Sequence, residues 1–204
     1  MDKSKQSSSV YDKIAKIYAK KFSKPSEYID EFLSMIPRGG RVLDAGCGPG
    51  VDSGYMQSKG FEVIGVDLSK EMINLARQKF SKVDFRIADI KKLDFTPNFF
   101  DGILASCSLI HIPKKDIIHI FKKFHQMLKS NGVVYIALQG GKPRETFVSE
   151  PFKPDERLFL NIFSLSEIKK LLVNTGFFIA KKYQREPKPK EELNFTKLFV
   201  IAKK

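Results

Sequence analysis

Val42-Leu43-Asp44-Ala45-Gly46-Cys47-Gly48-Pro49-Gly50 is the stretch that decides the fold. A short apolar run ends in a carboxylate and then a glycine-rich turn. That is the pattern of a buried strand opening into a loop whose backbone a ligand can approach closely. The next apolar run, Phe61-Glu62-Val63-Ile64-Gly65-Val66, ends at Asp67, 21 residues beyond Gly46. At that spacing a carboxylate on the tip of a neighbouring parallel strand accepts both hydroxyls of a ribose. Together the two segments predict an adenosine-type ligand on a doubly wound sheet.

Outward from this core the chain alternates. Strands are expected at Arg41–Ala45, Glu62–Val66, Asp84–Ala88, Asp101–Ala105 and Gly132–Leu138, with helices near Val51–Ser58, Ser69–Phe80 and Lys114–Leu128 between them. Such alternation means parallel strands joined by right-handed crossovers. The end departs from it: after a helix at Leu165–Asn174 with Gly176 as its C-cap, Phe177–Lys182 and Phe195–Ala202 are joined only by the polar loop Gln184–Asn194. That loop is too short for a crossover helix, so the two strands should pair antiparallel. Before the first strand, a polar and frayed start leads to a helix at Val10–Phe22, ended by Pro25, and a second at Ser26–Ile36, ended by Pro37.

The chemistry of the first loop narrows the ligand. A dinucleotide site wants Gly-x-Gly-x-x-Gly opening a helix, whose free N–H groups hold a pyrophosphate. Here Pro49 removes one donor and Asp44 stands just before the loop, where it would repel a pyrophosphate. A ligand carrying an ammonium and a sulfonium, and no phosphates, suits it instead; S-adenosylmethionine is such a ligand. With its ordered neighbours the loop resembles that of the class I S-adenosylmethionine-dependent methyltransferases, particularly the small-molecule group, and the resemblance covers nearly the whole chain. It implies a Rossmann-like α/β fold: a seven-stranded sheet, mostly parallel, in the order 3-2-1-4-5-7-6 with the antiparallel hairpin at its end. It also implies transfer of a methyl group from S-adenosylmethionine by in-line displacement, leaving S-adenosylhomocysteine.

By the same resemblance, Gly46 and Gly48 let the methionine part of the cofactor lie against backbone, and Asp44 faces its ammonium. Asp67 is followed by Leu68-Ser69-Lys70-Glu71-Met72, much like the family's second-strand motif, which sets Leu68 and Met72 beside the adenosine. Helical spacing makes Met72 a core residue equally well. The third strand leads into Ala88-Asp89-Ile90, where Asp89 would accept from the adenine amine and the Ile90 N–H would donate to the ring. A helix-capping aspartate reads the same way at Asp89 alone. Tyr11 and Tyr18 lie on one face of the first helix, as in the helix that covers the cofactor in the enzymes resembled, although amphipathic packing gives the same spacing.

After the fourth strand comes Ser106-Cys107-Ser108-Leu109-Ile110-His111-Ile112-Pro113, where the methyl group leaves in the family. Ser106 is expected at the cofactor. Cys107 reads better as a small buried side chain than as a nucleophile. His111 is the candidate acid/base group, with a pocket-shaping, hydrogen-bonded loop histidine as the other reading. Holding donor and acceptor in line can supply most of the catalysis, so no dedicated base is required. No metal is expected.

The 204 residues fit one domain, with 1–36 as a helical cap and 139–164 as a substrate-lid insertion bearing Phe147, Phe152, Phe159 and Phe163. No apolar run approaches membrane-spanning length, and the first nine residues lack a secretory apolar core. Cys47 and Cys107, the only cysteines, should be reduced, which points to the cytoplasm. A net charge of +13 invites a nucleic-acid reading. However, only seven of the 36 basic residues are arginines, the side chain that phosphate and base recognition favours. Solvated lysine surface is the preferred account, and the expected acceptor is a small molecule. RNA or protein methylation and a non-catalytic cofactor-binding module are the alternatives.

Overall fold

The computed structural model describes residues 2–189 and 192–204. The chain opens with a long helix, α1 (Lys3–Lys21), and a one-turn helix, α2 (Ile29–Leu33). Then follow β1 (Arg41–Ala45), α3 (Val51–Ser58), β2 (Glu62–Asp67), α4 (Lys70–Lys79), β3 (Asp84–Ile87), β4 (Phe100–Ser106), α5 (Lys114–Met127) and β5 (Leu128–Gly140). A hairpin of β6 (Arg144–Glu150) and β7 (Lys153–Ile162) leads to α6 (Leu165–Val173), β8 (Phe178–Arg185) and β9 (Thr196–Lys203). Seven strands form one sheet in the order β3-β2-β1-β4-β5-β9-β8, parallel through β5 and antiparallel at β9 and β8. With the separate β6–β7 hairpin left out of the numbering, this is the expected order.

The central strands are apolar on both faces because helices cover both. On one face Leu43, Ile103 and Ile136 pack with Phe121 and Phe124 of α5 and Leu172 of α6. On the other, Val42, Leu104 and Tyr135 pack with Phe32 of α2, Met56 of α3 and Ile73 of α4. Each fully buried aliphatic or aromatic side chain contributes about 1.5–3 kcal/mol. No helix among the described residues is long and apolar enough to cross a membrane.

Two local expectations are corrected. The first helix does not begin frayed near Val10; it starts at Lys3, where the Asp2 carboxylate accepts the Ser4 N–H at 2.9 Å as a side-chain cap. The second helix cannot start at Ser26, because that N–H and hydroxyl are both committed to the Asp52 carboxylate, at 2.7 and 2.6 Å. Tyr28 then takes a left-handed turn at φ 61° before the helix begins. The segment 139–164 is largely the β6–β7 hairpin, with Phe159 and Phe163 in the core and Phe147 outside. Part of the Gln184–Asn194 loop, Lys190 and Glu191, lies outside the described residues.

Candidate active site

The C-terminal tips of β1, β2 and β4, with the chain that leaves β3, open into one cleft, roofed by α1. Its empty volume, counted out to the mouth, is about 700 Å³. Of the residues expected around the cofactor, Tyr18, Gly46, Gly48, Asp67, Leu68, Met72, Asp89, Ile90 and Ser106 all line it, and so does His111. Asp44 stands apart. Residues alternate along a strand, so Asp44 shares the face of Val42 and turns toward α3. There it is 1% exposed and accepts the Ser53 hydroxyl at 2.6 Å. Burial, reinforced by the neighbouring Asp52, raises its pKa well above the usual carboxylate range.

The first loop is shaped by two glycines with different reasons. Gly46 sits at φ +89°, and a Cβ there would stand 2.2 Å from the Cβ of Ser108. Only a bare backbone lets the loops after β1 and β4 meet. Gly48, at φ +51°, has no atom within 4 Å of where its Cβ would be, so its open side faces the cleft. The Gly48 N–H donates to Asp67 Oδ2 at 2.9 Å and the Ser69 N–H to Oδ1 at 2.8 Å. Both oxygens are thereby fixed and each keeps acceptor capacity toward the cleft. Burial outweighs these two bonds and raises the Asp67 pKa. Asp89 accepts the Lys91 N–H at 3.0 Å and caps a single 3-10 turn, Ile90–Lys92, while still lining the cleft. Capping and cleft-lining are thus compatible roles at this position.

Beyond β4, Ser106 Oγ lies 2.7 Å from Ser26 Oγ, which donates in turn to Asp52. Cys107 lines the cleft with burial pushing its thiol up to about 11, so it is no thiolate at neutral pH. Both cysteines are free. His111 Nδ1 lies 2.9 Å from the carbonyl oxygen of Phe159 in β7. A carbonyl only accepts, so Nδ1 carries the proton and Nε2 accepts from the Tyr11 hydroxyl, also at 2.9 Å. Desolvation pushes the His111 pKa down to about 4, leaving a neutral imidazole at neutral pH. His119 is exposed and His125 half-buried, and neither lines the cleft.

Residue reasoning passed over several groups. Asp12 of α1 accepts the Ser69 hydroxyl at 2.6 Å and the Glu71 N–H at 3.0 Å, pinning the roof to the start of α4. Ser4 and Ser7 line the cleft from a stretch taken as frayed. Serine at helix spacing carries no signal until the helix is known to reach that far.

The electrostatics fit a cationic nucleoside. Asp67 and Asp89 face the cleft, and no lysine or arginine among the described residues lines it. A phosphate would meet only like charge there, whereas a sulfonium and an ammonium would be attracted.

A family profile described as a methyltransferase domain matches residues 42–132. YqeM of Bacillus subtilis, itself provisionally classed as a methyltransferase, is 29% identical over 173 residues, 79% of this chain and 70% of that protein. Phosphoethanolamine N-methyltransferase 3 of Arabidopsis thaliana is 35% identical over 117 residues, 54% of this chain but only 24% of the plant enzyme. The chain therefore spans about a quarter of that relative's length. Among solved structures, an S-adenosylmethionine-dependent methyltransferase of Methanosarcina mazei superposes with a TM-score of 0.78 at 21% identity, covering 89% of this chain and 98% of that one. Strand order, the ordered strand-end motifs and the matched domain converge: the chain carries a methyltransferase domain with the fold of the class I S-adenosylmethionine-dependent methyltransferases.

Proposed function

We propose that the protein methylates a small-molecule acceptor held between the cofactor and the Tyr11–His111 pair. The observation that carries this reading is the roof. Helix α1 is tied to the β6–β7 hairpin by Lys3–Glu145 and Lys13–Glu156 ion pairs at 2.7 and 2.6 Å, and to α4 through Asp12. A cleft closed on that side admits a small acceptor more readily than a folded RNA or protein. Lys91, beside Asp89, is engaged by Asp2 at 2.6 Å, so this cation is held by a carboxylate rather than left free for a phosphate. The plant relative's acceptor is a small amine, which supports the same class.

Asp67 would hold the ribose hydroxyls, Asp89 and the Ile90 N–H the adenine, and Gly46 and Gly48 the methionine chain. Leu68, Met72 and Tyr18 would pack on the nucleoside, with Ser106 near the sulfur and Asp44 acting from beneath as a fixed charge or dipole. Bound S-adenosylmethionine supplies an electrophilic methyl group. Tyr11 would orient the acceptor's amine or hydroxyl and pass its proton toward His111 Nε2, which burial keeps in its accepting form. The hairpin would be the lid on the acceptor side, 1–36 the cap, and the whole chain one methyltransferase domain. Two free thiols accord with a reducing cytoplasm.

The test is methyl transfer from labelled S-adenosylmethionine to separate panels of small amines and hydroxylated compounds, RNA, and protein. Turnover of a small amine or alcohol supports the reading. Transfer to RNA or protein alone contradicts it, as does binding without transfer to any panel.

A further inference from the structure

Two serine hydroxyls on the roof helix have nothing to bond. Ser4 is 8% exposed and Ser7 1%, both line the cleft, and neither Oγ finds a hydrogen-bond partner among the described residues. A buried hydroxyl left unpaired is costly, and buried polar groups in native proteins are nearly always satisfied. Serine within a helix can return its hydroxyl to the carbonyl four residues back, yet Ser7 makes no such bond to Lys3, and Ser4 stands too near the start of the chain to have that carbonyl. With Tyr11 they stand at positions i, i+3 and i+7, one stripe of α1 turned to the cleft.

The position of the stripe says which part of a ligand it meets. Asp2, the cap of α1, accepts from Lys91 Nζ at 2.6 Å, so this end of the helix is anchored beside Asp89 and Ile90. Those residues belong to the adenine end of the proposed site. Ser4 and Ser7 therefore face the side of the base opposite β3, where a purine presents ring nitrogens and an amino group that a hydroxyl can both donate to and accept from. We infer that the Ser4 and Ser7 hydroxyls hydrogen-bond the nucleoside of the cofactor from the roof, making α1 a base-recognising element as well as a cover. The inference rests on the cofactor reading given above.

Isothermal titration of the full chain with S-adenosylhomocysteine and separately with adenosine tests it, using Ser4→Ala, Ser7→Ala and the double variant. The expected result is a loss of roughly five- to tenfold per hydroxyl, alike for both ligands because adenosine keeps the base and ribose. The melting temperature of the ligand-free variants should meanwhile rise or hold, since alanine favours the helix and removes an unpaired polar atom. A serine with a merely structural role would lower it. Affinities within twofold of wild type for both ligands would overturn the inference, as would a loss confined to S-adenosylhomocysteine, which would put the serines at the amino-acid end. Wild-type protein that binds neither ligand would remove the cofactor reading itself, and the inference with it.

Discussion

The Tyr11 hydroxyl lies 2.9 Å from His111 Nε2, joining residues 100 positions apart across the mouth of the cleft. Their rings meet edge to face at 5.2 Å, and the far nitrogen of the imidazole is fixed by the Phe159 carbonyl. Two bonds thus couple the roof helix, the chain after β4 and the hairpin. The one to the Phe159 carbonyl also fixes the tautomer on which any proton transfer here depends.

His111 should not titrate in the usual histidine range. Its pKa is pushed down to about 4 by desolvation, so the folded protein keeps it neutral where the unfolded chain takes a proton. Its contribution is thus unfavourable to folding below about pH 6.5 and grows as the pH falls toward 4. Imidazole resonances assigned to His111 should stay fixed between pH 8 and 5.5. A midpoint near 6.5 would show that the site is wetter than described.

Tyr11→Phe and His111→Gln should each lower kcat by about a hundredfold on any acceptor found. Affinity for S-adenosylhomocysteine should change less than threefold. The double variant should resemble either single one, because the two groups act as a unit. Additive losses in a steady-state assay would separate their roles.

Gly46→Ala and Gly48→Ala should part company. The first drives a methyl group to 2.2 Å from Ser108 Cβ in a left-handed backbone, and should cost about 2–4 kcal/mol in denaturant melts. The second meets no atom, so it should cost only about 1–2 kcal/mol of backbone strain while obstructing ligand approach. Equal stability losses would mean that the loop is not shaped as seen.

Arg185 of β8 holds both Glu27 of the cap and Glu192 of the β8–β9 connection. Its guanidinium keeps the Glu192 pKa down to about 2, so that carboxylate stabilises the fold fully above about pH 4.5 and loses its effect as the pH falls toward 2. Arg185→Met should cost about 1 kcal/mol at neutral pH and speed proteolysis around residues 22–28. Unchanged cleavage there would show that the cap is held by other contacts.

Much of the site was legible because it lies where strands stop. Apolar runs of strand length, each followed by glycine or aspartate, gave the positions of Asp67 and Asp89 without knowledge of any contact. Alternation gave the parallel sheet and the short final connection gave its antiparallel edge. The direction of Asp44 was hidden, since a period of two does not say which face looks toward a helix. The true start of α1 was hidden too, because a serine-rich segment has weak helix preference until a cap and a partner surface fix it. The Tyr11–His111 bond has no sequence signature at all; it exists only because the roof folds back over the sheet.

Calorimetric titration of S-adenosylhomocysteine into wild-type protein and Asp67→Ala tests the site most directly. One-to-one binding to the wild type and a loss of about 10- to 100-fold in the variant are predicted, as expected for hydrogen bonds to a charged carboxylate. No binding to the wild type at millimolar ligand, or equal affinity in the variant, would contradict it.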